Sequence, residues 1–175
     1  MKKFTLVLLI FACHLTGYSQ KLETITQNRA DFLGIKVKSD FLKEPYAKWF
    51  VPTYSNYEVD NKTIDKLKKH TQGITIKVFM GGWCHDSKRE IPHLYKILEA
   101  IDFDENNLEV IAVDRAKRTP NNLQEGYTIK RTPTLIFFKN NIEIGRFVEH
   151  PVNTLEKDLF KIMSGKAYKH AYDKS

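Results

Sequence analysis

The chain has 175 residues and a mass of 20.5 kDa, which bounds it to one domain, or one domain with an extension. Hydrophobic residues at 42% and aromatics at 12% supply a core and exclude wholesale disorder. Two cysteines, Cys13 and Cys84, exclude a multi-disulfide scaffold or a zinc ribbon, and a formal charge of +7 is too small to indicate nucleic acid by itself.

Residues 1–19 read Met-Lys-Lys, then an apolar run from Phe4 to Ala12, then a short polar stretch to Ser19. A charged start, a short apolar run and small residues at Gly17 and Ser19 predict a secretory signal peptide, cut after Ser19 to leave Gln20 first. The run is too short to span a bilayer, which takes about 20 residues. Ile10-Phe11-Ala12-Cys13 loosely resembles a bacterial lipoprotein cleavage box, under which Cys13 carries a lipid and the protein is membrane-anchored. Under both readings the mature protein is exported, periplasmic or secreted.

Residues 20–60 have no regular pattern but hold apolar anchors at Phe32, Leu33, Phe41, Leu42, Trp49, Phe50 and Val51, broken by Pro45 and Pro52. So much large apolar surface predicts an ordered N-terminal extension packed on a core rather than a linker. Residues 61–165 carry the main domain. Asp60 or Asn61 caps a helix to about Thr71, ended by Gly73. Ile74 to Met80 is a buried strand, and Gly81-Gly82 breaks it. A helix from near Cys84 to about Ile101 follows, with Ile91, Leu94, Tyr95, Leu98 and Ile101 at helical spacing and Pro92 kinking it.

Leu108 to Val113 is a second strand, followed by a basic loop over Arg115 to Asn122 and a short helix to about Glu125. Thr134 to Phe138 and Ile142 to Val148 form a hairpin around Lys139-Asn140-Asn141. Asn153 with Glu156 reads as a capping box opening a last helix, with Leu155, Leu159, Ile162 and Met163 inward and Gly165 ending it. The tail, residues 166–175, reads as a frayed, solvated end. The alternation followed by a hairpin predicts an α/β fold with a mixed sheet and helices on both faces.

Cys84 sits where a buried strand gives way to a helix. The free amides and dipole of a first helical turn favour a thiolate, the attacking species in disulfide exchange. His85 in its charged form assists, whereas Asp86 opposes by like-charge repulsion, so both are activity-tuning candidates.

Trp83-Cys84-x-x-Ser87-Lys88 with Pro92 resembles the active-site helix of the thioredoxin-like superfamily. Tyr127-x-Ile129-x-x-Thr132-Pro133-Thr134 and Phe138-Lys139-Asn140 resemble its cis-proline segment and following hairpin, and the likeness spans roughly residues 74–165. The resemblance implies a three-layer sandwich, a mixed central sheet flanked by helices. It implies that Cys84 is the nucleophile, that Trp83 covers it, and that Pro133 is a cis-proline facing it. Thr132 would then contact a bound substrate strand. Two positions depart from the pattern. Ser87 replaces the second, resolving cysteine, and Val78 stands where thioredoxin-like reductases carry a buried acid. Without a resolving thiol, a mixed disulfide at Cys84 cannot be released intramolecularly.

The expected function is therefore thiol–disulfide exchange through one cysteine, with an external thiol resolving the mixed disulfide and Ser87 donating a hydrogen bond to the Cys84 thiolate. Protein or low-molecular-weight thiols and disulfides are the expected partners. The alternative is a redox-inactive scaffold, with the basic loop and the aromatic extension as contact surface. No cofactor is expected. No metal is expected either, because Cys84, His85 and Asp86 are too close in sequence to converge on one ion, and His93 reads as a solvent-facing or packing histidine. Arg115-Ala116-Lys117-Arg118 reads as a solvated loop and no nucleic acid is expected. Asn61-Lys62-Thr63 matches a glycosylation sequon.

Overall fold

The computed structural model describes residues 32–173, and the chain from Gly34 onward forms one compact unit. The expected signal peptide, its cleavage site and Cys13 lie outside the described residues. Five strands form one sheet: β1 (Gly34–Lys36), β2 (Ile74–Met80), β3 (Leu108–Ala112), β4 (Thr134–Lys139) and β5 (Ile142–Val148), in the order β1-β3-β2-β4-β5. β2 and β3 are parallel, and all other neighbours are antiparallel. The helices are α1 (Lys38–Phe41), α2 (Ala47–Asn56), α3 (Asn61–Leu67), α4 (His85–Ala100) and α5 (Leu155–Met163). None is long and apolar enough to cross a membrane.

β2 is central because its sequence suits burial on both sides. Ile74, Ile76, Val78 and Met80 point to one face, in register with Val110, Ala112, Leu135 and Phe137 of the neighbouring strands, and all are buried. This is the helix-covered face. α5 lies directly on β5: a Cβ at Gly145, opposite Phe137, would come 3.2 Å from the Ile162 side chain. α5 in turn contacts α3 and α4, and α4 contacts α2. Asp60 caps α3 by accepting from the amides of Lys62 and Thr63.

The opposite face carries Phe79, Ile111, Val113 and Ile136, covered by Leu123, Tyr127 and Ile129 from the connection between β3 and β4. The helix expected up to Glu125 does not form there, and the third layer at this place is a packed run of turns. The reason is local competition. The Thr119 hydroxyl oxygen accepts from the Leu123 amide at 2.8 Å, and the Gln124 side-chain oxygen accepts from the Thr119 amide at 3.0 Å. These bonds take backbone donors that a helix would use, and Asn122 sits at φ 53°.

Three further expectations change. Residues 20–60 are regular where they are described. β1 pairs antiparallel with β3, and α2 stacks an aromatic cluster against α4, with Phe41–Phe50 centroids 5.3 Å apart and Phe50–Tyr95 5.8 Å apart. The cap of α5 is Thr154, whose Oγ1 accepts from the Lys157 amide at 3.3 Å; it is not Asn153. Glu156 instead turns inward, where its Oε1 accepts from the Tyr57 hydroxyl at 2.9 Å and the Asp60 amide at 3.2 Å, tying the α2–α3 connection to α5. Finally, the tail is not frayed as far as Asp173. Tyr168 donates to Asp158 Oδ2 at 3.2 Å, and the Arg131 guanidinium lies 3.8 Å from the Tyr172 ring centroid. Tyr172 also hydrogen-bonds Glu149.

Asp158 is fully buried, and its Oδ2 also accepts from the Val152 amide at 2.6 Å. Asp158→Ala strips partners from both the Val152 amide and the tail tyrosine. It is expected to cost about 2–3 kcal/mol in denaturant unfolding, against under about 1 kcal/mol for Tyr168→Phe. Equal costs would contradict the assigned roles.

Candidate active site

The end of β2 and the start of α4 build the site. Gly81 is required by a close approach, since a Cβ there would fall 2.6 Å from the Trp83 indole. The indole folds back over the strand end, and its Nε1 donates to the Val113 carbonyl at 3.0 Å. The Cys84 amide donates to the Gly81 carbonyl at 2.9 Å, which makes the turn that sets Cys84 as the N-cap of α4. Its side chain caps no amide of that helix and is half-buried.

The thiol faces the loop before β4. Cys84 Sγ donates to the Thr132 carbonyl at 3.0 Å, and the Thr132–Pro133 peptide is cis. That loop is fixed from both sides. Thr134 Oγ1 donates to the Arg131 carbonyl at 2.7 Å, and the Glu149 amide donates to the Pro133 carbonyl at 2.8 Å. Thr132 and Pro133 are buried, so Cys84 meets their edge and not a mobile tip. Trp83, Cys84, Thr132 and Pro133 are thus brought together from two chain segments.

Ser87 does not behave as expected. It is fully buried, and its Oγ accepts from the Gly81 amide at 3.1 Å. No hydrogen bond joins it to Cys84 among the described residues. Ser87 is a brace between the strand end and the first turn of α4. His85 is exposed and has no hydrogen-bond partner among the described residues. Asp86 is paired with Arg89 at 2.8 Å, so the carboxylate expected to oppose the thiolate spends part of its charge on a guanidinium.

One pair of residues was hidden in the loop read as solvated. The Arg115 guanidinium lies 5.0 Å and the Lys117 ammonium 5.3 Å from the Trp83 ring centroid. The turn is closed around Asp114, which accepts from the Arg118 amide at 2.8 Å and exchanges backbone hydrogen bonds with Lys117 and Arg118. Lys117 takes a φ of 63° in that turn, a backbone state that no residue-type pattern announces here. Among the described residues, no group of three or more His, Cys, Asp or Glu side chains is placed to hold a metal ion.

Residues 36–160 match the family model described as Thioredoxin. The chain belongs to the thioredoxin family. Several solved structures are similar to it. An HIV epitope-scaffold is 14% identical with a TM-score of 0.54, over 81% of this chain and 98% of that one. A protein of unknown function from Pseudomonas aeruginosa is 16% identical with a TM-score of 0.49, covering 68% of this chain and 81% of that one. A thioredoxin from Plasmodium falciparum is 19% identical with a TM-score of 0.38, covering 57% and 88%. No curated protein matches the sequence.

The thioredoxin fold here also carries a groove of about 490 Å³ whose lining includes Tyr57, Glu90, His93 and Glu156 but not Cys84. His93 packs face-on against Tyr57, with centroids 3.7 Å apart. Burial, and then the Arg89 charge, lowers its pKa from 6.5 to about 4, while the Glu156 charge works in the opposite direction. Burial raises the neighbouring Glu90 carboxyl. Folded His93 therefore stays neutral while the unfolded chain takes up a proton, so its contribution weakens stability as pH falls from about 6.5 to about 4. His93→Phe keeps a ring against Tyr57 and removes the titration. Its thermal midpoint is expected to fall less steeply than the parent's over that window, and parallel slopes would contradict the assignment.

Proposed function

We propose that this thioredoxin-family chain acts in thiol–disulfide exchange through Cys84 alone. The observation that carries the proposal is the thiol at the N-cap of α4, 3.0 Å from the Thr132 carbonyl, with Ser87 where a resolving cysteine would stand. Attack requires Cys84 to give up its proton and release the Thr132 carbonyl. The thiolate then attacks one sulfur of a disulfide, the old S–S bond breaks, and a bond from Sγ to the attacked sulfur forms. The second sulfur leaves as a thiolate and takes a proton from solvent. One disulfide is consumed and one mixed disulfide is made, so the step is balanced without a further oxidant.

Resolution needs a second thiol. Ser87 has none, and its hydroxyl is engaged with the Gly81 amide. An external thiolate therefore attacks the mixed disulfide and frees Cys84. Trp83 covers the site, and the edge formed by Thr132 and Pro133 is the surface against which a substrate strand would lie. Protein or low-molecular-weight thiols and disulfides are the partners that fit. The compartment we propose is outside the cytoplasm, periplasmic or secreted, supported by the signal-like residues 1–19; lipidation at Cys13 would anchor the protein there.

The test compares the parent with Ser87→Cys, both in a Cys13→Ser background. Incubated with an aromatic disulfide that releases a coloured thiol, the parent is expected to release one equivalent and keep the other half as a stable adduct. Ser87→Cys is expected to release two, because the new thiol expels the adduct. Release of two equivalents by the parent, or of none, would overturn the monothiol reading.

A further inference from the structure

We infer that the disulfide taken by Cys84 carries negative charge beside its reacting sulfur, and that Arg115 and Lys117 select it. The inference rests on the exchange reading above and names the class of its substrate. It follows from which charges around the thiol are already compensated.

On the Thr132 side, Arg131 is paired with Glu149 at 3.0 Å and covered by Tyr172 at 3.8 Å. On the helix, Arg89 is held by Asp86 at 2.8 Å and by Glu90 at 2.6 Å. On the Trp83 side two cations stand together. Arg115 and Lys117 stand over the indole, 5.0 and 5.3 Å from its centroid, and neither forms an ion pair among the described residues. The nearby acid, Asp114, turns its Oδ1 onto the Arg118 amide. The Lys117 ammonium donates to the Arg115 carbonyl at 3.0 Å, which keeps the two cations together.

Trp83 is the residue next to Cys84, and its indole is pinned to Val113, so these two cations sit over the side chain that neighbours the thiol-bearing residue. Two cations over one indole outnumber the single nearby carboxylate, Asp114, and the net positive charge favours a substrate that brings carboxylates against that plate. Such fixed charges act mainly on the rate of encounter and are screened by salt.

A charge series on one chemical frame tests this. Second-order rates of mixed-disulfide formation at Cys84 are measured by mass spectrometry for dithiodipropionate, 2-hydroxyethyl disulfide and cystamine, which are anionic, neutral and cationic. The Cys84→Ser protein serves as blank for Cys13. Each rate is divided by the rate of the same disulfide with a small neutral thiol, N-acetylcysteinamide, under the same conditions, which removes the difference in leaving-thiol pKa. At low salt this normalised rate is expected to be about tenfold higher for the anionic disulfide than for the cationic one, and the gap should close near 1 M salt, where the screening length is about 3 Å. In Arg115→Ala/Lys117→Ala the anion-to-cation ratio is expected to fall to about that of the screened parent, while the neutral rate stays within about twofold. An unchanged thermal midpoint in the double variant keeps the comparison free of folding effects. Equal normalised rates for all three disulfides, or a preference untouched by the double substitution, overturn the charge selection and leave the exchange reading standing. Absence of reaction with any of the three overturns both.

Discussion

The contact between the Cys84 thiol and the Thr132 carbonyl, at 3.0 Å, depends on how β2, α4 and β4 meet. It brings together residues 48 apart in sequence. β2 must end at Met80 so that Gly81 can turn the chain into α4, and β4 must pair antiparallel with β2 so that its start lies beside that end. The pairing Phe79↔Thr134 fixes this, placing the cis loop directly across from the strand terminus. A one-residue slip would turn Thr134 and Ile136 to the helix-covered face and carry Thr132 away from the sulfur.

Around that contact the site is stiff by construction. The Gly81 amide is held by Ser87, the Trp83 indole by Val113, and the Pro133 carbonyl by Glu149. Each bond satisfies a polar group at the rim of the sheet that would otherwise lie half-buried without a partner. Ser87 thus has a structural task that is independent of redox chemistry. The strand–helix junction is tied by its hydroxyl, which accepts from the Gly81 amide.

Much of this was legible because it is local. The alternation in Ile74 to Met80, the Gly81-Gly82 break, and the paired Asn140 and Asn141 that both take positive φ mark their elements without help from the rest of the chain. The Trp83-Cys84-x-x-Ser87 and Thr132-Pro133 segments announced the two halves of the site. What was missed is non-local. β1 is three residues long and exists only because β3 offers it an edge. α2 was masked by Pro52, which lies inside it. Glu156 looked like a cap partner, yet it is drawn inward by Tyr57 and the Asp60 amide, more than ninety residues away. The docked tail rests on contacts of Tyr168 and Tyr172, and the charges over Trp83 on a turn closed by Asp114; neither leaves a periodic trace in sequence.

The chain therefore sets Cys84 beside the Thr132 carbonyl at a cis loop, next to an indole tied to Val113, and holds the strand–helix junction with Ser87. The most direct measurement is the state of Cys84 in the cells that make the protein. Cells are quenched in acid, free thiols are blocked, and the intact protein is weighed by mass spectrometry. Monothiol exchange predicts a fraction of the protein carrying a thiol adduct on Cys84 that a reductant removes and that is absent from Cys84→Ser. Recovery of Cys84 only as the free, blocked thiol under both oxidising and resting conditions would contradict it.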